Sequence, residues 1–429
     1  MSLDDDPPGA GEPGAKPPWA RLRPLPVLFV VGLFVFLWLR RPPKPGDAAG
    51  ANATAAALAA AANTAGQAAG AAPTGQPGQG RRPAARRDDT ISELELADGE
   101  PLAVLGGAVM GTRWNAKVVG VSDPAQADAL AATIQAALDD VDGAMSTYKA
   151  TSELSTLNDA PVGQPRPVSA ALGAVFDVAV EVAEASGGAF DVSVGPLVDL
   201  WGFGAGKPAE QPPTDADLEA LGVAVGREAF AWQKGVGEGA GSFSRNDART
   251  RVDLSAVAKG FGVDRAAAAL KEQRQTRFLI EVGGEVVVRG LAPGRRPWML
   301  GVEQPDAATG AILQAVPMVD VALATSGDYR NFRMVDGKRV SHTIDPRTRR
   351  PITHALASVS VLATDCAHAD AWATALNVLG PDAGLAKANE LGLAALVVVR
   401  REDGTMDARP SARWDEWKQR SEAAAAGAR

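Results

Sequence analysis

Residues 253–289 read DLSAVAKGFGVDRAAAALKEQRQTRFLIEVGGEVVVR, and the succession of patterns in them sets the fold class. A helical stretch from Ala256 to Leu270 is followed by two β-branched runs, Phe278–Val282 and Glu285–Arg289, parted by Gly283-Gly284. Two such runs around a glycine pair read as a hairpin. Upstream, Asp123 to Met145 carries apolar residues at helical spacing (Ala127, Leu130, Ile134, Leu138, Val141), with Asp123-Pro124 as cap and first turn. Ser169 to Ser186 reads as a second helix, ended by Gly187-Gly188, and Cys366 to Leu379 as another, stopped by Gly380-Pro381. Trp298–Val302, Ala357–Leu362 and Leu393–Arg400 add strands. Helices interspersed with short strands predict an α+β (mixed α/β) domain with mixed sheets and flanking helices over residues 93–420. Residues 421–429 are expected to be a flexible tail.

The N-terminal part is different. Leu25 to Leu39 reads LPVLFVVGLFVFLWL, bracketed by Lys16, Arg21 and Arg23 before and Arg40, Arg41 and Lys44 after. At about 1.5 Å per residue the run is slightly short for a hydrocarbon core of roughly 30 Å, a gap that snorkelling arginines and the interfacial Trp38 can close. A cleaved signal peptide is the competing reading, but Arg40-Arg41-Pro42-Pro43 stands where a small-residue cleavage site belongs. The expectation is an uncleaved transmembrane anchor over residues 25–41, behind a short N-terminal tail (1–24). Residues 42–92, rich in Ala, Gly and Pro, have too few large apolar side chains to offset ordering entropy and read as a disordered linker. The net charge of −8 and the lack of a basic stripe argue against nucleic-acid binding. The single cysteine, Cys366, excludes an internal disulfide and a thiolate metal cluster.

Three stretches carry candidate chemistry. Ser326-Gly327-Asp328-Tyr329 precedes Ser341-His342-Thr343-Ile344-Asp345-Pro346, and His342 is one of three histidines. An imidazole titrating near neutrality suits a general base for a hydroxyl, although a histidine held by a turn is the plainer reading. Asp370 and Thr374 are four residues apart, so on a helix they share a face. A carboxylate with a hydroxyl suits a hard cation; an acidic residue early in a helix is also favoured by the macrodipole alone. Asp253 to Gly260, followed by Asp264, offers a strand-to-helix junction of small residues with Lys259 as a charge for phosphate, or an ordinary turn with a solvent-facing lysine. Gly202-Phe203-Gly204-Ala205-Gly206-Lys207 fails as a phosphate loop because Pro208 replaces the required Ser or Thr, and Gly237 to Gly241 has no flanking strand and helix.

From about residue 105 to 415 the chain resembles the FAD:protein FMN transferase (ApbE) family, on motifs that run in family order. They are Met110-Gly111-Thr112, Met145-Ser146-Thr147-Tyr148, Gly188-Ala189-Phe190-Asp191-Val192, Leu200-Trp201-Gly202-Phe203 and Asp253 to Gly260. Val282-Gly283-Gly284-Glu285, Ala324 to Tyr329, His342 to Pro346 and Ala369 to Ala375 complete the set. Ser255-Ala256 replaces a usual glycine pair, and Arg349 stands where glycine is usual, which puts that turn in question.

The resemblance implies a flavin transferase that uses Mg²⁺ to move FMN from FAD to a Thr or Ser hydroxyl of another protein, releasing AMP. It implies Asp370, Thr374 and the carbonyl of Ala256 as Mg²⁺ ligands. Met110, Tyr148, Asp191, Asp253 and Lys259 would contact FAD, and His342 would be the base near the diphosphate. The acceptor would be a flavoprotein subunit of a membrane redox complex, and the domain would lie in the bacterial periplasm, tethered to the inner membrane. Hydrolysis of FAD to FMN and AMP, or non-enzymatic FAD binding at the membrane, are the rival expectations. His354 and His368 match no functional position.

Overall fold

The computed structural model describes residues 90–204, 211–236, 241–305, 311–327, 332–335 and 338–427. The expected tail, anchor and most of the linker (1–89) lie outside the described residues, as do residues 205–208 and 237–240 of the glycine-rich loops and Asp328 and Tyr329. Among the described residues no helix is long and apolar enough to cross a membrane.

Nine strands form one sheet whose spatial order is the chain order. They are β1 (Ile91–Ala97), β2 (Glu100–Val109), β3 (Thr112–Val119), β4 (Phe278–Val282), β5 (Glu285–Arg289), β6 (Val321–Gly327), β7 (Leu356–Ala363), β8 (Ala394–Arg400) and β9 (Met406–Pro410). Every neighbouring pair is antiparallel, where mixed sheets were expected. The reason is local: hairpins join β1 to β2, β2 to β3 and β4 to β5, and hairpins can only be antiparallel. The tightest is the predicted one, with Val282 paired to Glu285 across Gly283 (φ 57°) and Gly284 (φ 115°). Positive φ at both central residues is what a two-residue turn between right-twisted strands demands. β4 is buried along its whole length, so it sits mid-sheet with both faces covered.

The helices cover both faces. α1 (Pro124–Met145) starts as expected, with Asp123 accepting from the Ala125 amide at 3.1 Å. It buries Leu130, Ile134, Leu138 and Val141. α2 (Ala170–Ala185) is capped by Ser169 and packs on a small three-stranded sheet through Phe176, which stacks at 5.2 Å on both Phe243 and Trp232. α3 (Ala258–Glu272) and α4 (Cys366–Leu379) then pass close to each other. α3 begins two residues later than predicted, because Asp253 accepts from the Ser255 amide at 2.8 Å and Val257 is not helical. α5 (Ala412–Ala426) runs on through residues expected to fray, since Ser421 and Ala425 are buried.

Candidate active site

Small residues at the start of α3 let it meet the start of α4. A Cβ on Gly260 would stand 2.6 Å from the carbonyl carbon of Cys366 and 2.9 Å from Cβ of Asp370. Only glycine fits there. Its amide donates to Asp370 Oδ2 at 3.1 Å rather than four residues back to Ala256, whose carbonyl is not taken up by that amide. Asp264, one turn further along α3, accepts from the amides of Cys366 and Ala367 at 2.8–2.9 Å and so fixes the first turn of α4. Asp365 caps the same turn through the His368 amide at 3.0 Å. Two carboxylates on one helix N-terminus satisfy donors that would otherwise be orphaned.

Lys259, beside Gly260, lies 2.7 Å from Glu285 Oε1 and 3.7 Å from Asp370 Oδ2. The hairpin turn at Gly283-Gly284 delivers Glu285 to this point, and only 3 % of Glu285 is exposed. Burial opposes the lysine's charge, but Asp370 and Glu285 outweigh it and raise its pKa. Burial lifts the Glu285 and Asp370 carboxyls, against the pull of Lys259. Glu285 Oε2 is buried with no hydrogen-bond partner. Two carboxyls thus share one ammonium, which holds the pocket together. Thr374, a turn beyond Asp370, is 3.0 Å from Ser326 at the end of β6. Among the described residues no cluster of three His, Cys, Asp or Glu side chains could hold a metal. The expected donors, Asp370, Thr374 and the Ala256 carbonyl, are a carboxylate, a hydroxyl and a backbone carbonyl. That oxygen-only chemistry fits a hard divalent cation, and Lys259 already places positive charge against the same carboxylate.

Of the other expected residues, Asp253 and Asp191 meet at the loop before α3. The Asp253 amide donates to the Val192 carbonyl at 2.7 Å, which sets Asp253 beside Asp191. Asp191 accepts from the amide and hydroxyl of Ser193 at 2.7 and 2.6 Å, and burial raises its pKa despite those bonds. Met110, in a left-handed turn (φ 50°), packs on α3, its Cε 3.1 Å from where a Cβ on Gly262 would be. His342 meets Phe203 edge-on, ring centroids 6.5 Å apart. Its neighbour Thr343 accepts from Asn377 on α4 at 3.3 Å, tying the histidine's loop to the helix of Asp370 and Thr374. Tyr148 is 73 % exposed, outside this packed set. His368 is structural: it bonds Asp365 at 2.6 Å and faces Glu181 on α2. Glu285 and Asn377 escaped sequence reasoning. Glu285 had a signal, as the first residue after the glycine turn; Asn377 had one only in its helical spacing from Asp370 and Thr374.

Arg349 keeps a left-handed turn (φ 61°), the geometry that suits glycine.

The chain is similar to known proteins in sequence and in structure. The ApbE family model matches residues 110–397. An FAD:protein FMN transferase of Klebsiella pneumoniae is 39 % identical over 302 residues, 70 % of this chain and 85 % of that protein. One from Vibrio cholerae is 37 % identical over 300 residues, covering 70 % and 88 %. In structure, flavin transferase ApbE from Vibrio cholerae overlays with TM-score 0.66 at 36 % identity, over 74 % of this chain and 99 % of that one. The apo form of Pseudomonas stutzeri flavinyl transferase ApbE gives 0.66 at 31 % identity, over 76 % and 97 %. Family match, sequence identity and fold agree over most of the chain, and the chain belongs to the ApbE family.

Proposed function

We propose that this chain transfers FMN from FAD to a Thr or Ser hydroxyl of an acceptor protein, forming a phosphoester and releasing AMP. The observation that carries the reading is the convergence of Lys259, Gly260, Glu285 and Asp370 where two helix N-termini meet. Helix N-termini and a partly exposed ammonium favour a diphosphate. Asp253 and Asp191 at the loop before α3, Met110 packed on α3 and the exposed Tyr148 are assigned to FAD.

Asp370, Thr374 and the Ala256 carbonyl would hold Mg²⁺, which would supply neutralisation of diphosphate charge. The chain's own residues do the rest. Lys259 binds phosphate oxygens while Glu285 keeps its ammonium in place. His342 takes the proton of the acceptor hydroxyl at an imidazole nitrogen, as the hydroxyl oxygen bonds to the FMN-side phosphorus and the bond to the AMP oxygen breaks. Phe203 shields that imidazole on one side.

The apolar run Leu25–Leu39 with its flanking arginines supports a single-pass anchor in the bacterial inner membrane, the domain facing the periplasm on a linker. From there it would reach flavoprotein subunits of membrane redox complexes. In-gel flavin fluorescence of a denatured acceptor, after incubation with the full chain, FAD and Mg²⁺, tests the transfer. A fluorescent acceptor band is expected, and free FMN and AMP with no band would favour hydrolysis instead.

A further inference from the structure

Arg349 is held in its left-handed turn by four hydrogen bonds. Its amide donates to the Asp345 carbonyl at 2.7 Å, and its own carbonyl accepts from Trp201 Nε1 at 3.0 Å. Its guanidinium donates from Nη1 to the Leu218 carbonyl at 2.6 Å and from Nη2 to the Gly222 carbonyl at 2.7 Å. Leu218 is in the last turn of the helix Asp215–Ala220, where carbonyls lack helical partners and a cation is favoured. A residue with a Cβ stays in this backbone region only where its surroundings over-determine it. Four hydrogen bonds do so here.

These bonds join two stretches. One is the turn between the paired strands Ile344–Asp345 and Arg350–Pro351, just after His342. The other is made of the helix Gly195–Leu200 with Trp201 and Phe203, tied through the Trp201 indole, and of Leu218 and Gly222, tied through the guanidinium. Ile344 shares a small apolar cluster with Leu197, Leu218 and Val225, so the two stretches also pack together. Phe203 in the second stretch meets His342 at the start of the first.

We propose that Arg349 is a positioning residue for His342, its carbonyl tying Trp201 and its guanidinium tying Leu218 and Gly222 to the histidine's turn, so that the cluster they share with Leu197 holds Phe203 against the imidazole. A planar fork can serve two carbonyls at once, which an ammonium cannot do in the same geometry. The functional half rests on His342 acting as the base; the clamp itself does not.

Arg349→Gly separates the clamp from the turn, because glycine takes a positive φ without strain. Arg349→Lys keeps the charge without the fork. Both would be compared with the unaltered full chain by hydrogen–deuterium exchange and by steady-state transfer, with His342→Ala alongside. In Arg349→Gly, peptides from 214–224 are expected to exchange roughly 10-fold faster, from two lost hydrogen bonds, while β4 is unchanged. Its kcat is expected to fall about 10-fold with the KM for FAD within about 2-fold, and Arg349→Lys to lie between. Unchanged exchange in those peptides overturns the clamp. Faster exchange with an unaltered kcat, when His342→Ala is slow, overturns the positioning role. A His342→Ala enzyme as fast as the unaltered chain removes the base, and with it the functional half alone. Faster exchange throughout the domain, β4 included, makes Arg349 merely structural and also overturns the proposal.

Discussion

The amide of Gly260 donates to Asp370 Oδ2 at 3.1 Å, across the point where α3 and α4 touch. One hydrogen bond thus ties the segment of Asp253, Ala256 and Lys259 to the helix of Asp370 and Thr374. The geometry of the pocket depends on how closely the two helices approach.

Gly260→Ala tests that closeness. The added methyl would overlap the Cys366 carbonyl and crowd Asp370. Overpacking of this kind costs about 1–3 kcal/mol. The variant is expected to melt at lower temperature and to lose most transfer activity. A melting curve and activity indistinguishable from those of the unaltered chain would show that the helices can part without harm.

Glu285 supports Lys259 from within the sheet. Glu285→Leu would leave the ammonium with Asp370 alone, 3.7 Å away. Removing one partner of a buried pair typically costs about 3–5 kcal/mol, and Lys259 is partly exposed, so about 2 kcal/mol is expected. Urea unfolding measures it. The double variant Glu285→Leu with Lys259→Met should recover much of the loss; no recovery would mean that Glu285 serves packing and not the lysine.

His368 sets a pH dependence. Burial opposes its charge, but Asp365 and Glu181 prevail and raise its pKa from 6.5 to about 10. The folded state therefore holds the proton more tightly than the unfolded chain. Its contribution to stability is complete below about pH 6.5 and declines as pH rises toward 10. Melting temperatures between pH 6 and 9 should fall for the unaltered chain and fall less steeply for His368→Gln. Equal slopes would remove this ion pair from the account.

Much of this was legible in the sequence, and the reasons are specific. The Gly283-Gly284 hairpin, α1 and α4 announce themselves through turn chemistry and helical period, and the structure places them within a residue or two of their predicted ends. β1 to β3 went unread. β1 is largely exposed on both faces, and β2 mixes Ala and Gly into its alternation, so period two is weak there. Asp370 and Thr374 could be paired from spacing, since i and i+4 share a helix face. Asn377 follows the same face but has only an amide to offer, and its partner Thr343 is remote in sequence. Glu285 was hidden for a related reason. Its importance lies in the lysine it meets 26 positions earlier, and a helix and a strand lie between them.

The central claim is covalent transfer through the pocket of Asp370. The most direct measurement is the intact mass of a candidate acceptor domain after incubation with the full chain, FAD and Mg²⁺, in parallel with the Asp370→Ala variant. The account predicts a mass gain equal to FMN, less water, on one Thr or Ser, and no gain with Asp370→Ala. An adduct that forms equally with the Asp370→Ala variant would contradict it.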